Sequence, residues 1–341
     1  MTVKMIDMAA RDAAYAHQNS LTKPQGALGR LEDVACWFAA RQGKALPDGL
    51  KVHICVFAAD HGVVEEGVSA YPSVVTAEMV KNFSAGGAAI NVLAKQCGAS
   101  LSVVDVGVQS DISDVEGIVH AKVRAGTANI VKESAMSEWE YWQAVEVGQI
   151  QAEQAIASGA NLLIAGDMGI GNTTASAALI CELALIPPEK VVGRGTGISD
   201  EAYALKVSAV RRALQRAHET PTKDILRELG GLEIAAMAGF YRQAARQGVP
   251  VLLDGFISTA AALAAVAWDA NIAGWMLASH VSDEQGHRLA LEALGLEPLI
   301  DLKLRLGEGS GAVLLVPLLQ SAIVLHRDMA TFEAAGVSGS L

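Results

Sequence analysis

The chain of 341 residues is 51% apolar and only 18% charged, which excludes disorder for its bulk and supplies core for one large domain or a large and a small one. With 37 acidic against 26 basic residues and a net charge of -11, it lacks the basic surface of a nucleic-acid binder. Four scattered cysteines, Cys36, Cys55, Cys97 and Cys181, show no CxxC spacing and make neither a disulfide framework nor a zinc site. Residues 1–50 read as helical, with Leu28, Leu31, Val34 and Ala35 at helical spacing after a Thr22-Lys23-Pro24-Gln25-Gly26 turn. Lys51 to Ala59 is a short β-branched run, a buried strand that ends at Asp60-His61-Gly62. Thr76 to Gln96 has helical spacing and stops at Gly98, and Leu101 to Val108 is the next strand. Strand, helix and strand in that order make a βαβ unit with parallel pairing.

The segment after Ser137 opens with a capping box, Glu140 following three residues on, and carries a small-residue stripe at Ala144, Gly148, Ala152 and Ala155. Further strands are expected at Asn161 to Ala165, Val249 to Leu253 and Ala273 to Ala278, separated by Ala-rich helical segments. This alternation predicts an α/β fold with a Rossmann-like, doubly wound, mostly parallel sheet in residues 51–304. The termini, 1–50 with 305–341, are expected to join in a smaller helical domain. The uncharged run Gly309 to His326 is interrupted by Gly311, Pro317 and Gln320, so it reads as a buried core helix rather than a membrane span. The N-terminus carries no apolar signal core, and a soluble, cytoplasmic protein is expected.

Three glycine clusters could carry chemistry. Gly166-Asp167-Met168-Gly169-Ile170-Gly171-Asn172-Thr173-Thr174 lies between an apolar strand and a helix expected over Ala175 to Leu185. Ligands of open α/β sheets sit beyond the carboxyl ends of strands, where a helix N-terminus offers free N–H donors. Gly169 and Gly171 would let the backbone wrap a phosphate and Thr173 and Thr174 would add hydroxyls; alternatively, the segment is a tight turn capping a helix. It is no Walker loop, because no Lys-Ser/Thr follows. Gly193-Arg194-Gly195-Thr196-Gly197 could hold the other side of one phosphate, with Arg194 or Lys206 supplying charge, or be a surface loop. Leu306-Gly307-Glu308-Gly309-Ser310-Gly311 sets a carboxylate among glycines ahead of an apolar helix. Glu308 is then either a helix-start acid favoured by the dipole or a base in a partly dry pocket. Asp60-His61, Ser279-His280 and His287 lack metal-ligand spacing and read as hydrogen-bonded loop histidines.

Taken together, these motifs resemble those of the nicotinate-nucleotide–dimethylbenzimidazole phosphoribosyltransferase family. The resemblance rests on Thr22 to Gly29, Ala59-Asp60-His61-Gly62-Val63, Gly86-Gly87-Ala88-Ala89-Ile90-Asn91, the Met168 to Thr174 loop, Asp254-Gly255-Phe256, Ser279-His280 and Leu304 to Gly311. Each is weak alone; their order and joint presence are specific. The family implies a Rossmann-like domain with a smaller helical one, a homodimer, and transfer of ribose 5-phosphate from nicotinate mononucleotide to 5,6-dimethylbenzimidazole, without cofactor or metal. By position it implies Glu308 as the catalytic glutamate. Asp167, Gly169, Gly171, Asn172, Thr173, Thr174, Arg194, Gly195 and Lys206 would hold the nucleotide and its phosphate. Val68 to Met79, with Tyr71, Pro72, Glu78 and Met79, would wall the base pocket. Asp167 stands where the family usually has Glu, and Glu78 where it often has Gln, which bears on base preference. Read from the residues alone, a nicotinamide-dependent dehydrogenase or a non-catalytic nucleotide- or benzimidazole-binding protein are the alternatives. The first lacks a clear dinucleotide fingerprint after its first strand.

Overall fold

The computed structural model describes residues 2–195, 197, 199–219 and 224–338. Two helices come first, α1 (Met8–Ser20), started by the Asp7 side chain accepting from the Ala10 amide at 2.9 Å, and α2 (Arg30–Gln42). Then follow β1 (Val52–Ala59), α3 (Val74–Ser84), α4 (Ala89–Cys97), β2 (Ser100–Gly107), β3 (Val119–His120), α5 (Glu138–Ala157), β4 (Leu162–Met168) and α6 (Asn172–Leu183). The second half adds α7 (Pro188–Val191), α8 (Asp200–Glu219), α9 (Ile225–Leu229), α10 (Leu232–Gln247), β5 (Val251–Leu253), α11 (Phe256–Trp268), β6 (Met276–Ala278), α12 (His287–Ala293), α13 (Ser310–Asp328) and α14 (Phe332–Ala335).

The six strands make one sheet in the order β3-β2-β1-β4-β5-β6, and every pairing is parallel. This is the doubly wound α/β arrangement that the sequence predicts. Strands buried on both faces explain the near-continuous apolar runs. Along β1, Ile54, Val56 and Ala58 face a core shared with α2, α3, α4 and α13, while Cys55, Phe57 and Ala59 face one shared with α5, α6, α10 and α11. Strand order reverses between β1 and β4, so the crevice beyond their carboxyl ends is the expected ligand position.

Helices α5 and α10 pack closely enough that a Cβ at Gly148 would overlap the Ala236 carbonyl and one at Gly239 the Val145 carbonyl. The small-residue stripe was therefore read correctly, as was the capping box: Glu140 N donates to Ser137 Oγ at 3.3 Å and Ser137 N to the Glu140 carboxylate at 2.8 Å. Helices α1 and α13 both pack on α2, and Leu21 bridges to Thr331. Among the described residues α13 alone is long and apolar enough to cross a membrane; 56% of it is buried, with Val313, Val316, Leu319 and Ile323 inward.

Four expectations about elements need correction. Thr76 to Gln96 is not one helix but two: Gly86, at φ 80, takes a conformation closed to most side chains, and the Asn91 side chain accepts from the Ala88 amide to start α4. Helix α6 begins at Asn172, three residues before Ala175. Ala270–Trp275 is a 3₁₀ turn started by the Asp269 side chain, leaving only Met276–Ala278 as strand, and the strand expected from Val249 starts at Val251. The two-residue β3 had no periodicity to betray it.

Candidate active site

Beyond Met168 the chain turns through Gly169-Ile170-Gly171 into α6. Gly171 is the N-cap at φ 97 and no side chain caps the helix; the Asn172 amide donates to the Gly169 carbonyl at 3.2 Å and the Thr174 amide to the Gly171 carbonyl at 3.0 Å, which leaves the Thr173 amide to face a ligand. Asn172 Nδ2 donates to Asp167 Oδ2 at 2.9 Å. Thr173, in the first turn of α6, and the Gly193–Gly195 loop approach the same point, because Lys206, fully buried on α8, donates to Thr173 Oγ1 at 2.8 Å and to the Gly193 carbonyl at 3.2 Å. Burial lowers the Lys206 ammonium to about 8, against the opposing pull of Glu284.

Lys206 stands behind a narrow cleft of about 130 Å³, whose lining includes Asp167, Gly169, Asn172, Thr173, Gly195 and Arg305. Met168, Phe256, Ile257 and Leu306 are its apolar lining. The cleft shares Gly195, Glu284 and Arg305 with a cavity of about 590 Å³ under Arg194 and Tyr203. It shares His280, Leu306 and Gly307 with an apolar cavity of about 380 Å³ beside Val92, Leu93 and Leu314. A further cavity of about 600 Å³, between Trp142, Leu226 and Trp268, carries none of these residues. Thr22, Lys23, Pro24 and Gln25 line another, with Asn19 and Phe332.

Glu308 stands in the left-handed region at φ 64, between Gly307 and Gly309, both at φ 85. Such a conformation costs a side-chain-bearing residue of order 1–3 kcal/mol and persists only where the surroundings dictate it. Two contacts do so here. Gly166 on β4 lies directly beneath, where any Cβ would overlap the Glu308 carbonyl. Asp254, fully buried at the end of β5, accepts from the Gly309 amide at 3.1 Å and the Ala312 amide at 2.9 Å, capping α13 from another strand. The Glu308 carboxyl is 5% exposed, and its Oε2 is buried without a partner. Desolvation lifts its pKa to about 7; a hydrogen bond from the Ile90 amide at the start of α4 opposes this, and Asp254 adds to it. Burial, with Asp254 and Glu233 beside it, also drives Asp167 well above the ordinary carboxylate range. Burial likewise raises Asp254, with His280 opposing, and lowers His280.

Placement of the sequence candidates is uneven. Asp167, Gly169, Asn172, Thr173, Gly195 and Lys206 converge. Thr174 does not join them: one residue further round α6, it is fully buried and its hydroxyl faces the core. Gly171 shapes the turn rather than lining the cleft. Arg194 is paired with Asp200 and lies over the Tyr203 ring at 5.3 Å, on the larger cavity. Thr196, in the same loop, lies outside the described residues. Tyr71, Pro72 and Glu78 are exposed and line neither the cleft nor the apolar cavity, while Met79 is half-buried in the α3–α4 layer. As read from sequence, His61, His280 and His287 are hydrogen-bonded, to Glu233, Ser279 and Thr259. The sequence shows Asp254-Gly255-Phe256 as a family motif but assigns Asp254 and Phe256 no place at the site; an acid directly after the apolar strand of a parallel sheet is the available signal.

A family profile described as phosphoribosyltransferase matches residues 3–337. The chain is 60% identical over 338 residues to the nicotinate-nucleotide–dimethylbenzimidazole phosphoribosyltransferase of Chromobacterium violaceum, covering 98% of each. It is 48% identical to that of Pseudomonas aeruginosa over 339 residues, 99% of this chain and 97% of the other. This chain belongs to that family. The crystal structure of the Thermus thermophilus phosphoribosyltransferase superposes with a TM-score of 0.93 at 48% identity, over 98% of this chain and all of that one. A second Thermus thermophilus structure, titled CobT, gives 0.94 at 49% identity, over 97% of this chain. The phosphoribosyltransferase family is one of pentosyltransferases, and the cleft lies beyond the carboxyl ends of β4, β5 and β6, the edge at which open α/β sheets bind ligands.

Proposed function

We propose that this phosphoribosyltransferase moves the ribose 5-phosphate of nicotinate mononucleotide onto 5,6-dimethylbenzimidazole, giving α-ribazole 5′-phosphate and nicotinate on the route to cobalamin. The observation that carries the reading is Glu308: a dry carboxyl with one unpartnered oxygen, next to Gly307 in the wall of a cleft lined by both polar and apolar residues. In this reading the phosphate lies against the Thr173 amide and hydroxyl, Asn172, Gly169 and the Gly195 turn. Lys206 fixes Thr173 and supplies positive charge, and Arg194 serves the rim. Asp167, whose carboxyl burial pushes toward the protonated form, accepts from Asn172 beside the cleft. The flat base takes the Met168–Phe256–Leu306 lining, where aromatic stacking orients it. That assignment moves the base wall from Tyr71, Pro72 and Glu78 to these three residues, with α3 and Met79 behind.

The nicotinate ring nitrogen is a pyridinium in the substrate, so it departs neutral and needs no metal to take up charge. The bond from C1′ to nicotinate breaks as C1′ accepts the unprotonated ring nitrogen of the base from the opposite face, inverting β to α. The base's N–H proton passes to the Glu308 carboxylate. General-base help of this kind contributes about 10²–10⁴ in rate; alignment of base and C1′ by the anchored phosphate supplies the rest. We further propose a cytoplasmic homodimer, with residues 1–50 and 305–341 as a helical unit beside the 51–304 sheet domain. The test is incubation with nicotinate mononucleotide and dimethylbenzimidazole, followed by chromatography. Stoichiometric nicotinate and a base-containing nucleotide are expected; binding of both ligands without turnover would reduce the protein to a carrier.

A further inference from the structure

Asp60 and Thr76 have no part in the proposed chemistry, yet both are buried at the carboxyl end of the sheet. Asp60 is 1% exposed, and both its oxygens are used: Oδ2 accepts from the Gln109 amide at 2.7 Å and Oδ1 from the Thr76 hydroxyl at 2.6 Å. Its carbonyl accepts from the Thr127 amide at 3.0 Å, so it is tied to the segments after β2 and β3 as well. Thr76, fully buried on α3, uses its hydroxyl oxygen a second time, accepting from the Ile170 amide at 3.1 Å. Ile170 is the middle residue of the Gly169–Gly171 turn that delivers Asn172 and Thr173 to the cleft. A single hydroxyl thus joins α3, which stands behind the proposed base wall, to the turn on the phosphate side.

Behind the same turn lies a buried pair, His61 Nε2 2.6 Å from Glu233 Oε1. A Cβ on Gly169 would come 3.3 Å from that carboxylate oxygen, and one on Gly171 3.1 Å from His61 Cβ. This pair supports the turn by packing and leaves the orientation of the Ile170 amide to Thr76.

We infer that Thr76 is a positioning residue for the transfer reaction: its hydroxyl, held by Asp60, fixes the turn so that α3 and the phosphate-side groups keep one mutual geometry. The inference rests on the transferase reading for its kinetic consequence and on geometry alone for the turn. A bond with a merely structural role would lower stability and leave the kinetics of the folded enzyme unchanged.

The deciding variants are Thr76→Val, which keeps shape and deletes the hydroxyl, and Thr76→Ser, which keeps the hydroxyl. With folded fractions matched by circular dichroism, Thr76→Val is expected to lose about 10- to 100-fold in kcat/KM for nicotinate mononucleotide, and Thr76→Ser to stay within about threefold of wild type. Wild-type kinetics in Thr76→Val, or equal loss in the Ser variant, would overturn the inference. If the Val variant does not fold, Thr76→Ala replaces it with the same two outcomes. A wild-type protein without turnover would reject the transferase reading instead. Amide hydrogen exchange across Gly166–Thr174 then decides the inference by itself: at least about tenfold faster in Thr76→Val if the hydroxyl holds the turn, unchanged if it does not.

Discussion

Glu308 combines three unfavourable circumstances, a left-handed backbone, a dry carboxyl and a nearby Asp254, and each has a measurable consequence. Glu308→Gln is expected to reduce kcat by about 10²–10⁴ while nicotinate mononucleotide binds within about twofold of wild type by calorimetry. Near-normal turnover would remove Glu308 from the proton transfer. Because the base must be ionised, wild-type turnover is expected to fall as the pH drops below about 7, the value at which burial holds this carboxyl. Stability moves the other way. The folded carboxyl titrates near 7 and an unfolded one near 4.5, so the folded state binds the extra proton between those values. Its contribution is complete below about 4.5 and is lost as the pH rises through 7, by up to about 3 kcal/mol. Urea denaturation at pH 5 and pH 8 should show Glu308→Gln gaining on wild type at the higher pH. Comparing the variant with wild type isolates Glu308 from Asp60, Asp167 and Asp254, which burial raises in the same direction. A constant difference between the two proteins would contradict the shift.

At the scale of elements, the turn from β4 into α6 is the part most exposed to substitution. A Cβ on Gly171 would lie 2.8 Å from Val64 Cγ2 and 3.1 Å from His61 Cβ, at a φ of 97 that a β-branched residue does not adopt. Gly171→Val is therefore expected to displace the first amides of α6 and raise the dissociation constant for nicotinate mononucleotide at least about tenfold, with the KM for the base changed less than about threefold. Equal losses for both ligands, with a lower melting temperature, would mark a general folding defect. The same turn shows what sequence pattern reveals. Long strands such as Val52–Ala59 and the Ser137 capping box were legible because apolar runs and caps are local signals. The two-residue β3, the starts of β5 and β6 and the break at Gly86 were not, because pairing partners and loop hydrogen bonds decide them. At the site, an acid among glycines was visible, but the contacts that hold it come from Gly166, Asp254 and Ile90, each on another element. Thr173 and Thr174 were indistinguishable in sequence, and only the helix start at Asn172 turns one to the cleft and the other to the core.

For the whole molecule, the open question is what meets the apolar surface beside the site. Val92 is 61% exposed on α4, Leu306 60% exposed in the Glu308 loop, and Leu314 and Leu318, one turn apart on α13, are 42% and 39% exposed. Val92, Leu306 and Leu314 edge the same apolar cavity of about 380 Å³. Apolar residues gathered around one cavity, on a chain whose net charge of -11 otherwise favours solvation, are the mark of a surface meant to be covered. A second copy of the chain is the occupant that the homodimer proposal requires. Sedimentation equilibrium at micromolar concentration should then give about 71 kDa, twice the 35.5 kDa of the chain. Leu314→Glu places a charge on this surface without touching the strands, and is expected to move the mass toward that of one chain while far-ultraviolet circular dichroism stays unchanged. A wild-type protein that sediments as a single chain would end the dimer proposal. A Leu314→Glu variant that remains dimeric would move the interface to another face. Neither result touches the chemistry assigned to Glu308, whose supporting contacts all come from within one chain.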